Sequence, residues 1–193
     1  MKAAVSVALL FFVTQAFGEL QLIAGSESPD KHYRVSVERT DARICYRIDG
    51  LPSGHALLRI DSSYQPEKGA EDWAYRQSLG AEVHWRKDTN AVAIDESNHR
   101  GMGAVLLIGR QGKGFRYVPV DWKALMHSTG EPWDRGRPFF SAWGTGDTVI
   151  LALVGRLYFQ DGNRFEESGW LFTLDLSQNG KVFQKEKNKG SPK

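Results

Sequence analysis

The residues best suited to chemistry are a few carboxylates, five histidines and one thiol. Asp95-Glu96 follows an apolar run, and Glu166-Glu167 lies close to Asp161 and Asn163. Adjacent carboxylates suit two tasks, general acid–base work in a hydrolase or calcium binding. Asp161-Gly162-Asn163 lacks the further ligands of an EF-hand loop and reads as a solvated turn. His32, His55, His84, His99 and His127 share no ligand spacing, so neither a metal site nor a cofactor is expected. Cys45 alternates with apolar neighbours in Ile44-Cys45-Tyr46 and reads as a small packed residue rather than a nucleophile. The chain contains no Gly-x-Ser-x-Gly, His-Glu-x-x-His, Cys-x-x-Cys or P-loop sequence. The glycines of Gly109–Gly114 join two strand-like runs, which makes a hairpin the better reading than an anion nest.

Binding chemistry is better represented. Two segments exceed what a hairpin needs, Asp61 to Gly80 and Pro119 to Pro138. Long connections in compact domains carry function or a small element of their own. The expected ligand-binding residues are Trp73 on the first segment and Trp122, His127, Trp133 and Arg135 on the second. Trp and Arg supply large contact area with a polar handle, which suits a protein or glycan partner. The opposing expectation is that these aromatics fold back and plug the end of the sheets.

The remaining chain must position those residues. Met1-Lys2 precedes a charge-free run from Ala3 to Phe17 that ends in Ala16-Phe17-Gly18, the pattern of a cleaved signal peptide over 1–18. The run is too short to span a bilayer. A secreted or periplasmic protein is expected, with no membrane span in the mature chain. Without Lys2, 24 basic residues (25 − 1) face 23 acidic ones, a balance that gives no long-range attraction to nucleic acid. A single domain over 19–183 is expected, followed by a disordered basic tail over 184–193. One cysteine permits no internal disulfide, so packing alone must hold the fold.

Almost every apolar stretch of the mature chain has strand character, and only Asp121 to Ser128 looks helical, with Asp121 as its cap. Val105-Leu-Leu-Ile108 and Val149 to Val154 are apolar at every position, as strands buried on both faces are. Val35, Val92 and Val149 each open an apolar strand after a polar turn, at an interval of 57 residues (92 − 35 and 149 − 92). The expected fold is therefore all-β: stacked antiparallel sheets with three blade-like repeats and one short helix.

Three turns carry a resemblance. Ser28-Pro29-Asp30-Lys31 leads into Tyr33–Val37, Trp85-Arg-Lys-Asp88-Thr-Asn90 into Ala91–Ile94, and Trp143-Gly-Thr-Gly-Asp147 into Thr148–Leu153. These units resemble blades of secreted TolB-type and WD40-like β-propellers, over roughly 10 residues each. Only the first keeps Ser-Pro-Asp, and it lacks the Gly that follows Asp in those families. Propellers close with about 4–8 blades, so a partial propeller, a β-trefoil or β-prism, and a sandwich all stay open. The functional expectation is a non-catalytic binding module working through its two long loops. The alternatives are a carboxylate-dependent hydrolase whose acid or base comes from Asp95, Glu96 or the loop carboxylates Asp161, Glu166 and Glu167, and a structural subunit of a larger propeller.

Overall fold

The structure, a computed structural model, describes residues 19–40, 43–63, 80–97, 103–160 and 164–188. It is all-β, built of three antiparallel four-stranded sheets with one short helix. The first sheet contains β1 (Glu19–Glu27), β2 (Tyr33–Arg39), β3 (Ile44–Gly50) and β4 (His55–Asp61). The second contains β5 (Gly80–Trp85), β6 (Ala91–Ser97), β7 (Gly103–Gln111) and β8 (Gly114–Val118). Helix α1 (Trp122–Ser128) leads to the third, of β9 (Trp133–Trp143), β10 (Thr148–Phe159), β11 (Arg164–Asp175) and β12 (Lys181–Lys187). Within each sheet the strands lie side by side in chain order.

Alternation along the strands explains the stacking. In β6, Val92 and Ile94 face one way and pack with Val35, Val37 and Ile48 of the first sheet. Ala91 and Ala93 face the other way and pack with Val149, Leu151 and Phe172 of the third. The second sheet is thus the filling between two cores, which is why Val105 to Ile108 is apolar without interruption. A prism would gather all three sheets around one core, whereas here two cores flank the middle sheet.

The two outer faces differ. On the first sheet the outward face is mixed: Ser36 donates to Asp49 at 2.7 Å and Arg47 meets the same carboxylate at 2.7 Å, while Leu20 and Leu22 of β1 stand exposed on the same face. On the third, Ile150, Val154 and Leu171 stand half-buried on the face away from the core. The apolar run of β10 is therefore fully enclosed on its inner side, while on its outer side Ala152 is buried and Ile150 and Val154 are only half-buried, short of the expected burial on both faces.

The repeat is real, but its register is not the one that the valines suggest. Corresponding turns are closed by Ser28 N–H to Tyr33 O at 2.9 Å, Arg86 N–H to Ala91 O at 2.9 Å, and Gly144 N–H to Thr148 O at 3.0 Å. Ser28, Arg86 and Gly144 are equivalent, at an interval of 58 (86 − 28 and 144 − 86). The third turn is one residue shorter, so Val92 still matches Val149, while the first-sheet equivalent of Val92 is Arg34. Val35 corresponds to Ala93. Lys31 and Thr89 occupy the position after Asp, and both adopt φ 62°. This is the left-handed conformation that glycine would favour.

Helix α1 forms as its sequence indicates. The Asp121 carboxylate accepts from Ala124 N–H at 2.9 Å, and Leu125 is buried against the core between the second and third sheets. The basic tail needs correction. Gln184 to Lys187 belongs to β12, paired through Lys185 with Phe172 and Lys187 with Trp170. An edge strand takes its hydrogen bonds from backbone, so lysine-rich side chains do not prevent pairing and protect the open edge. Residues 189–193 lie outside the described residues, as do 1–18 with the expected signal peptide.

Candidate functional site

Past Gly155, strands β10 and β11 run on as an arm. Gly155 pairs with Gly136 of β9, and a side chain on Gly155 would collide with the backbone of Arg135 and Gly136. The absent side chains let β9 lie close against the arm. Tyr158 N–H donates to Pro132 O at 2.8 Å and fastens the arm to the segment before β9. Between them opens a cleft of about 670 Å³ lined by Pro132, Trp133, Asp134, Tyr158, Phe159 and Gln160.

Its walls are aromatic and its flanks charged. Phe165 packs on Tyr158 with ring centroids 5.0 Å apart. The Arg156 guanidinium lies 4.1 Å from the Phe165 centroid, and Arg164 lies 4.9 Å from that of Phe159. Arg156 also donates to Asp134 Oδ2 at 2.6 and 3.0 Å, which orients that carboxylate at the edge of the cleft. The indole N–H of Trp133 donates to the Thr129 hydroxyl at 2.8 Å.

Behind the cleft, Glu131 accepts from the Ser168 hydroxyl at 2.6 Å, from the Trp170 indole at 2.9 Å and from the Lys187 ammonium at 2.5 Å. Burial by itself would raise this carboxyl. The bonds from Lys187, Ser168 and Trp170 together carry it below its ordinary value. Glu131 thereby joins the turn before β9 to β11 and β12.

The expected site residues divide. Trp133 lines the cleft and also packs on the core, so it is wall and plug at once. Arg135 is exposed beside it, with Nε 3.8 Å from Asp134. Trp122 packs against the core instead, and His127 is exposed on the last turn of α1, outside the cleft lining. Trp73 lies outside the described residues. Sequence reading missed Tyr158, Phe159 and Gln160. The signal for them was an aromatic–basic cluster in sequence, Arg156-Leu-Tyr-Phe before Asp161-Gly162 and Arg164-Phe165 after it.

The carboxylates proposed for hydrolysis do not form a pair. Asp95 and Glu96 are successive strand residues and face opposite sheets. Glu96 is fully buried and accepts from the Ser62 hydroxyl at 2.6 Å and from Ser63 N–H at 2.8 Å. Asp95 accepts from Phe140 N–H at 2.9 Å, beside a His84 ring stacked on Phe140 at 4.3 Å. Burial pushes the Asp95 carboxyl up. Among the described residues no cluster of His, Cys, Asp or Glu is arranged to hold a metal ion, and no helix is long and apolar enough to cross a membrane. Neither a protein-family model nor a curated protein matches the chain.

Proposed function

We propose that this is an exported, non-catalytic binding module that takes a glycan in the cleft between Trp133 and the β10–β11 arm. The observation that carries this reading is the composition of the cleft. Trp133, Tyr158 and Phe159 all contribute to its lining, Trp133 and Phe159 from one face of the arm and Tyr158 from the other, beside one oriented carboxylate, Asp134, and one amide, Gln160. Sugar rings present apolar C–H faces that pack on aromatic rings, and hydroxyls that need a few fixed polar partners. The separation of Asp95 from Glu96 supports binding over a paired-carboxylate hydrolase.

The test is calorimetric titration with defined oligosaccharides, neutral and acidic. Binding by wild type, weakened about tenfold or more in Tyr158→Ala, is the expected outcome. If every sugar binds wild type and variant alike, or none binds, the glycan reading fails. A protein partner is the second reading, favoured by Phe165, which is 48% exposed under Arg156. In that case Phe165→Ala weakens capture of a partner that no sugar displaces.

A further inference from the structure

The repeat makes the two ends of the sheet stack comparable. Val35 of the first sheet and Ala93 of the second are equivalent, and both are fully buried on the face that meets the next sheet. Their counterpart in the third sheet is Ile150, which stands half-buried on the face away from the core. Phe139 and Leu171 are the cross-strand partners of Ala152 and share that face with it, and Val154 follows two residues on. Among the described residues, none of these five belongs to either core. The third sheet therefore presents outwards a face of the kind that the first two sheets bury.

The other end of the stack is built differently. Val92 and Ile94 of the second sheet face back to the first, as Val149 and Leu151 of the third face back to the second. Arg34 and Ser36 hold the equivalent positions in the first sheet and point outwards. The Ser36 hydroxyl and the Arg47 guanidinium both donate to Asp49, so the centre of this face satisfies its own polar groups. The exposed Leu20 and Leu22 lie to one side, on edge strand β1. A stack of repeats keeps its end unit in water through a polar outer face. The first sheet has one at its centre, and the third does not.

We propose that the outer face of the third sheet is a dimer interface, covered by the same face of a second copy about a two-fold axis. An apolar sheet face packs on another by interdigitating side chains, and the identical face of a second molecule supplies one. The first sheet is a poor alternative occupant. Seating the apolar face there would strip water from Arg59, which shares that outward face and has a side chain 58% exposed. The area is also adequate. With strands β9, β10 and β11 of 11, 12 and 12 residues, the face runs roughly 40 Å along the strands and roughly 19 Å across four of them, on the order of 700 Å². Stable interfaces take about 800 Å² from each partner. Two copies joined in this way form one stack with a polar-centred first sheet at each end. The proposal is independent of the glycan reading, because none of the five residues lines the cleft.

Sedimentation equilibrium over a range of concentrations tests it, with far-ultraviolet circular dichroism to confirm that each variant is folded. Wild type is expected to sediment as a dimer, and Leu171→Lys should raise the dissociation constant at least tenfold. Ile150→Thr keeps a branched side chain suited to a strand, so it guards against a failure to fold and should also raise the constant at least tenfold. Leu22→Lys, on the first sheet, should leave it unchanged. The proposal is overturned by a wild type that is monomeric at every concentration, or by a dimer that neither Leu171→Lys nor Ile150→Thr weakens. A dimer weakened as much by Leu22→Lys as by Leu171→Lys also overturns it, because the third sheet would then sit on the first sheet of the next copy. Titration with sugars reads the cleft and sedimentation reads this face, so either reading can fail alone.

Discussion

The Trp133 indole N–H and the Thr129 hydroxyl are joined by a 2.8 Å hydrogen bond across the turn between α1 and β9. It anchors a ring that packs on the core and also walls the aromatic cleft. Trp133→Ala should therefore lower both stability and glycan affinity. About 1–3 kcal/mol of stability is expected, less than for a fully buried Trp because the ring is half-exposed. Trp133→Phe should retain most of the packing and lose the bond, at about 1 kcal/mol. Melting curves beside titrations check both, and an unchanged melting temperature in Trp133→Ala would show that the ring does not pack in solution.

Glu131 gives a pH signature. Its folded carboxyl lies below the ordinary 4.5, so its contribution is present above that value and is lost as pH falls through the folded one. Glu131→Gln should cost about 1–3 kcal/mol at pH 7. The gap between variant and wild type should close on acidification. Denaturant melts at pH 7, 5 and 3 measure it, and a gap constant across that range would exclude the charged network.

Asp95 has the opposite sign. Its folded carboxyl is raised above 3.8 by burial, so the folded state holds its proton more tightly and stability falls as pH rises through the folded value. Asp95→Asn keeps an oxygen for Phe140 N–H and removes the charge. The variant should gain on wild type from acid to neutral pH, read as a difference in melting temperature that grows over that interval. A difference that shrinks instead would mean that Arg137 and His84 outweigh burial.

Lys31 stands at φ 62° and its ion pair with Glu27 is exposed. Lys31→Gly should raise stability by about 0.5–1 kcal/mol, because the left-handed cost to an L side chain slightly exceeds glycine's extra entropy. Lys31→Val should lower it by about 1–2 kcal/mol, since a branched side chain fits that conformation worst. Equal melting temperatures for all three proteins would place the turn in another conformation.

Cys45 is 5% exposed, and burial together with the Glu38 charge raises its thiol above the ordinary range. Labelling with a disulfide reagent at pH 8 should be slow in native buffer and fast in denaturant. Rapid native labelling would place the thiol at the surface.

The sequence alone determined the class of fold and the nature of its units. Alternating runs such as Tyr33–Val37, the uninterrupted Val105–Ile108 and the polar turns between them report local conformation and burial, and these depend on neighbours a few residues away. The cap at Asp121 was legible for the same reason. Register and site were decided by tertiary structure. The valine spacing matched Val35 to Val92, but the turn hydrogen bonds match Arg34 to Val92, because an interval counts residues and cannot see that the third turn is one shorter. Trp122 and Trp133 look alike on one segment and both pack against the core, yet only Trp133 also walls the cleft, a difference set by where α1 and β9 point. Tyr158 and Phe159 became cleft residues only when Gly155 allowed β9 to close on the arm. Arg86 reaches Asp147 and Arg116 reaches Asn179 from turns far apart in the chain, and contacts across such distances exist only once the sheets have stacked.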